Sequence, residues 1–177
     1  MPAGPLVALG YPSLSRKDRD WIQTFRSKHD RLYFDILQPH FTFVFPQSRV
    51  AEAEFAANVR EKSAAFPRIH FTLRCAAVWD NAMIPYWHVF LVPDEGFSAV
   101  VKLHDRLYED ALAPELRLDI PFIPHIGIAS ARDATACKAL ADQVNALDLS
   151  ISGTIDALDV ARLGTEGVKT IERIELA

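Results

Sequence analysis

The chain has 177 residues, is 50% hydrophobic and 24% charged, and carries 19 Lys and Arg against 23 Asp and Glu, a formal net charge of -4. This ordinary globular composition excludes a disordered or collagen-like chain, and the acidic balance argues against a coat for long nucleic acid. A chain of this size buries roughly two-thirds of the surface its unfolded form exposes, so it needs no metal or disulfide staple. Cys75 and Cys137 have no Cys or His at zinc-site spacing and read as small buried apolar residues. Residues 1–11 lack the basic and apolar regions of a signal peptide, and no apolar run approaches the roughly 18 residues that span a bilayer. The expectation is a soluble, cytoplasmic protein that makes no membrane contact.

Pro5 to Gly10 is a short apolar run and reads as a strand. Ser15, with Asp18 three residues on, opens a helix that carries Trp21, Ile22, Phe25 and His29 at helical spacing. His40 to Phe45, between Pro39 and Pro46, is an aromatic, β-branched strand, and Val50 to Ala65 is an Ala- and Glu-rich helix. Ile69 to Trp79 alternates as a half-covered strand, followed by a strand at Tyr86 to Val92 and an amphipathic helix over Phe97 to Leu112. After a loop from Pro114 to Pro124 come a strand at His125 to Ser130 and a helix over Asp133 to Leu147. A long strand from Leu149 to Leu163 then turns through Gly164 and Gly167 into a last strand, Val168 to Leu176.

In symbols this is βαβαβ twice and a closing β, which predicts an internal duplication with its junction near 80–85. The first strands of the halves start about 81 residues apart, the His-led strands about 85 and the following helices about 83, within ordinary insertions. The expected organisation is one domain over 1–177 made of two lobes, about 1–80 and 85–177. A pseudo-two-fold would set the two His-led strands across a cleft and complete it within a monomer.

Alternation in HFTF puts Phe41, Phe43 and Phe45 on one face and His40, Thr42 and Val44 on the other. In HIGI the same count sends Ile126 and Ile128 to the core and exposes His125, Gly127 and Ala129. Two imidazoles across a cleft suit in-line displacement at phosphorus: one takes a proton from the attacking oxygen while the other protonates the leaving oxygen. A pKa near 6.5 lets them split these roles without a metal, and Thr42 would donate to a nonbridging phosphate oxygen. A lone strand histidine is more often structural than catalytic. Here, however, both follow proline and both open the same strand of a repeated unit.

QPHFTFVFP and FIPHIGIA, set in this βα pattern, resemble the two-histidine (2H) phosphoesterase superfamily and in particular its 2'-5' RNA ligase-like branch. The resemblance spans nearly the whole chain. It implies an α+β, bilobal fold of two antiparallel sheets facing a central cleft with helices outside. It further implies metal-independent action, without cofactor, on a cyclic phosphate or 2'-5' phosphodiester of a nucleotide or RNA end, with 2'-5' RNA ligase activity as the reverse reaction. His40, Thr42 and His125 match the motif, whereas Gly127 stands where the family usually has Thr or Ser. Losing that hydroxyl costs about 1–4 kcal/mol of transition-state stabilisation if nothing replaces it.

Three further residues are candidates for substrate binding, each with a structural alternative. Tyr11 either stacks on a base or closes a turn, the commoner role. Arg74, on the open face of its strand, either meets a phosphate or stays in a surface ion pair. His88 lines the cleft or is a satisfied sheet histidine, again the commoner case. No metal site is expected, because His40 and His125 lack further ligands, and His29, His70 and His104 have no partner spacing. The expected partner is a small nucleotide or RNA terminus rather than a long duplex. The alternatives are a nucleotide or RNA-end binding module that lost catalysis at Gly127, and a metal-dependent hydrolase.

Overall fold

The computed structural model describes residues 4–81, 84–165 and 167–177. The predicted first strand is β1 (Leu6–Gly10), and a two-residue strand that the sequence did not suggest, β2 (Ser13–Leu14), follows it. Helix α1 (Arg16–His29) starts where Ser15 Oγ accepts the backbone N–H of Asp18 at 3.1 Å and donates to its carboxylate at 2.7 Å. β3 (Phe41–Gln47), α2 (Glu52–Ser63), β4 (Ile69–Asp80), β5 (Trp87–Glu95) and α3 (Phe97–Leu107) come next. β6 (Ile126–Ala131), α4 (Ala134–Asn145), β7 (Ile151–Ile155), β8 (Ala157–Gly164) and β9 (Gly167–Glu175) complete the order.

Two antiparallel sheets result, one ordered β3-β1-β8-β9 and the other β2-β7-β4-β5-β6, as the α+β reading requires. The duplication is visible in this order. β3-β1-β8-β9 corresponds to β6-β5-β4-β7: the first sheet takes β1 and β3 from the first half and β8 and β9 from the second, while in the other sheet β2 and β4 come from the first half and β5, β6 and β7 from the second. Helices follow the same exchange: α1 packs on β6 and α3 on β3, while α2 covers β1 and β9 and α4 covers β4, β5 and β6. Division into sheets therefore does not coincide with division at 80–85, and residues 82 and 83 of that junction lie outside the described residues.

Two elements differ from expectation. The helix expected over 97–112 ends at Leu107, and Asp110, at φ 52°, starts a separate 3-10 segment, Asp110–Glu115. The long strand expected over 149–163 breaks at Asp156, and its two parts join different sheets. Asp156 holds that crossing by accepting from Ser13 Oγ at 2.7 Å and Thr154 Oγ1 at 3.0 Å.

All of β1 is buried because both of its faces are covered. Leu6 and Ala8 enter the main core, whereas Val7 and Leu9 turn to the opposite face with Ala161, flanked by Tyr11, Leu37, Leu163 and Val168. The main core spans both sheets, with fully buried Phe41 of β3 set edge-on to Phe71 of β4 at 5.0 Å. At Gly10 the packing leaves no room for a side chain: a Cβ there would lie 2.7 Å from the Phe43 ring and 2.8 Å from Ile155.

Candidate active site: two histidines on matching bulged strands

His40 and His125 each sit one residue ahead of their strand, β3 and β6. Both strands carry a bulge at the same place. Ala8 and Leu9 oppose Val44 and Thr42, so Phe43 is the extra residue. Val89 and Phe90 oppose Ala129 and Gly127, so Ile128 is the extra residue. A bulge resets alternation. Simple period-two counting therefore holds through Thr42 and Gly127 and fails beyond them: Val44 and Ala129, expected on the open face, are buried in the core.

The two imidazoles are held alike. His40 Nδ1 lies 2.7 Å from the carbonyl of Gln38, and His125 Nδ1 lies 2.6 Å from that of Ile123, in each case reaching back over a proline. A carbonyl can only accept, so each Nδ1 carries the hydrogen and each Nε2 is left with its lone pair. Both rings are half-buried, and burial is the main influence lowering both pKa values. That of His125 falls to about 4, chiefly through burial, with the Ile123 carbonyl opposing it and electrostatic repulsion between the protonated ring and the neighbouring His40 and His88 adding to it. For His40 the Gln38 carbonyl and Asp30 oppose burial and Arg26 reinforces it. Each bare Nε2 is thus a neutral proton acceptor at pH 7, and the two residues lie within each other's electrostatic reach.

Thr42 is half-buried opposite Leu9, and among the described residues its hydroxyl has no hydrogen-bond partner. Tyr11 stands edge-on to His40 at 6.2 Å. Burial and nearby Asp159 raise its phenol pKa, so it is a neutral donor. Beside them is a cavity of about 290 Å³ lined by Tyr11, Pro12, Leu14, Arg19, Gln38 and Pro39. Gly127 lies opposite Phe90 in the sheet, and the Phe90 ring stacks on His125 at 3.6 Å and 12°. His88 extends this column, stacked on Phe90 at 5.5 Å and on Tyr33 at 6.0 Å. It is buried, and its Nε2 is 2.9 Å from Asn81 Nδ2, which fits the satisfied sheet histidine rather than a substrate contact.

Arg74 is not brought to this constellation. The antiparallel register sets its stretch of β4 beside the acidic end of β5, and its guanidinium meets Asp94 at 2.7 Å and Glu95 at 2.6 Å. The phosphate role considered for Arg74 gives way to this surface ion pair.

Sequence reasoning missed Phe90 and a buried network beneath the site. Arg26, 1% exposed, donates to Asp30 at 3.1 and 3.2 Å and to the carbonyls of Leu37 and Tyr33 at 2.8 and 3.2 Å. Asp30 accepts from Ser130 Oγ at 3.1 Å and bridges to β6. The segment leading to His40 is so fastened to the strand that follows His125. The signal in the sequence was Arg26 and Asp30 at i,i+4 where α1 ends. Among the described residues, no group of three or more His, Cys, Asp or Glu is arranged to hold a metal, and no helix is long and apolar enough to cross a membrane.

The sequence model of the 2'-5' RNA ligase superfamily matches residues 13–167. The chain belongs to this superfamily. Its 2H phosphoesterase resemblance is thereby established, and the solved structures agree on the fold. LigT of E. coli in its apo form superposes with a TM-score of 0.67 at 18% identity, covering 100% of this chain and 99% of its own. TT0787 of Thermus thermophilus gives 0.64 at 16%, covering 97% of each chain. Usb1 of Kluyveromyces marxianus gives 0.56 at 12%, covering 98% and 99%. LigT has also been crystallised with 3'-AMP, NADP+, phosphate and ATP. No curated protein matches the chain by sequence.

Proposed function

We propose that this 2'-5' RNA ligase superfamily member is a metal-independent phosphodiesterase that opens a cyclic phosphate, or cleaves a 2'-5' phosphodiester, in a nucleotide or RNA end. The observation that carries this reading is the matched pair of histidines, each with Nδ1–H bound to a carbonyl and Nε2 bare. With a phosphodiester between them, one Nε2 removes the proton of the attacking oxygen. The other, protonated, delivers its proton to the ribose oxygen that leaves phosphorus. The anionic phosphate favours that imidazolium and opposes the burial that keeps both rings neutral in the free protein. Thr42 donates to a nonbridging oxygen as charge accumulates there, and Tyr11 with the cavity beside it accepts a base. The nucleotide complexes of LigT support a ligand of this size.

The test is turnover of 2',3'-cyclic nucleotides and 2'-5'-linked dinucleotides in EDTA. The expected result is wild-type activity that falls by about 10²–10⁴ in His40→Ala and in His125→Ala, with unchanged far-UV spectra. Tight nucleotide binding with no turnover would replace the enzyme by a binding module, the alternative that Gly127 invites. Activity abolished by EDTA would point to a metal-dependent hydrolase.

A further inference from the structure

The proposed reaction leaves Phe90 without a role, although its ring is the closest aromatic neighbour of either histidine. Its centroid is 3.6 Å from that of His125, nearly parallel at 12°. Phe90 and Gly127 are direct partners across β5 and β6. A Cβ built on Gly127 would lie 3.9 Å from Cε1 and 4.0 Å from Cδ1 of Phe90, which is ordinary contact. The ring therefore lies alongside a bare stretch of backbone on its way to His125. A methyl group fits there without disturbing the ring. Aromatic rings set against cross-strand glycines are a known way of covering exposed backbone in sheets.

We propose that Phe90 is a positioning residue for His125, holding the imidazole by the stack on its face. This rests on the reading of His125 as a general acid or base. The Nδ1–H bond to the Ile123 carbonyl fixes one edge of the imidazole but leaves the ring free to rock about that bond. A flat partner on one face removes that freedom and fixes the direction of Nε2, the atom that must meet a proton in flight. Phe90 is itself stacked with His88 of the same strand at 5.5 Å and 11°. Beside Gly127, where the family usually offers a hydroxyl, β5 presents the apolar ring of Phe90. The hydroxyl available to the phosphate is then that of Thr42, on the β3 wall.

Burial is the leading cause of the low basicity of His125, and the titratable groups that reach it are His40, ahead of β3, and His88, on β5. Removing the ring that covers one face should therefore be visible without any substrate. The experiment is proton NMR of the His125 ring across a pH titration, with kinetics on the same samples, in wild type, Phe90→Leu and Phe90→Tyr. In Phe90→Leu the ring-current shift of the His125 protons should vanish and their titration midpoint should rise from about 4 toward the ordinary value. Its kcat should fall about tenfold or more with KM changed less than about twofold, and Phe90→Tyr, which keeps the flat face, should behave as wild type. Gly127→Ala, whose methyl group fits beside the ring, should leave the His125 signals in place. His125 signals and titration unchanged in Phe90→Leu would overturn the positioning role. If wild type turns over no substrate, the phosphodiesterase reading fails, and the NMR arm still decides this one.

Discussion

At the scale of single residues, chemistry follows from which atom each side chain leaves free. His40 and His125 spend Nδ1 on a carbonyl and keep Nε2, while Thr42 keeps its whole hydroxyl among the described residues. Thr42→Ala should lower kcat by about 10²–10³, the usual loss for one donor to developing negative charge, and Thr42→Ser should recover most of it. A Thr42→Ala variant with wild-type kcat would remove the residue from the site. Arg74 shows the opposite case: an exposed cation whose donors are already engaged by Asp94 and Glu95 has little left for a phosphate.

At the scale of elements, β3 is an edge strand, and its unpaired backbone groups must go somewhere. Helix α3 and its C-terminal residue supply the partners: His104 Nδ1 donates to the Phe43 carbonyl at 2.8 Å, and the Tyr108 hydroxyl accepts the Phe45 N–H at 2.9 Å. Burial pushes the Tyr108 pKa up to about 12, so the phenol stays neutral. Phe122 stacks on His104 at 3.5 Å and 6°, which ties the loop before His125 to the helix that closes the edge of the other sheet. Tyr108→Phe should cost about 1–3 kcal/mol in urea unfolding, because it leaves the Phe45 N–H without its partner. An unchanged midpoint would mean that this N–H is satisfied in another way.

At the scale of the whole molecule, the exchange of strands and helices between halves makes one core of two sheets, with the Arg26–Asp30–Ser130 network beneath the cleft. The fold leaves five histidines, His29, His40, His88, His104 and His125, with pKa values lowered chiefly by burial. A histidine whose folded pKa lies below its unfolded value makes the unfolded state the better proton binder. Its contribution is complete above about pH 6.5 and is lost as pH falls toward the folded value, about 4 for His125. The melting temperature should therefore drop by several degrees between pH 7.5 and pH 5, and His125→Ala should flatten that dependence. A melting temperature independent of pH over this range would contradict the burial of these rings.

Much of this protein is legible in local order. The Ser15 cap, the apolar run of β1, the aromatic strand after Pro39 and the repeat at about 85 residues depend on neighbours in sequence, and propensity and periodicity report them directly. From these the two Pro-His pairs, the α+β class and the superfamily resemblance could be read. What the chain order does not contain is which strand pairs with which. Asp156 splits one apolar run between two sheets, and the bulges at Phe43 and Ile128 exist only because a partner strand offers one residue against two. Pairing brings Glu95 and Asp94 to Arg74, Phe90 to Gly127 and Ser130 to Asp30. Each of these contacts joins residues distant in sequence, so its energy is realised only after the sheets have closed, and no local window of sequence records it.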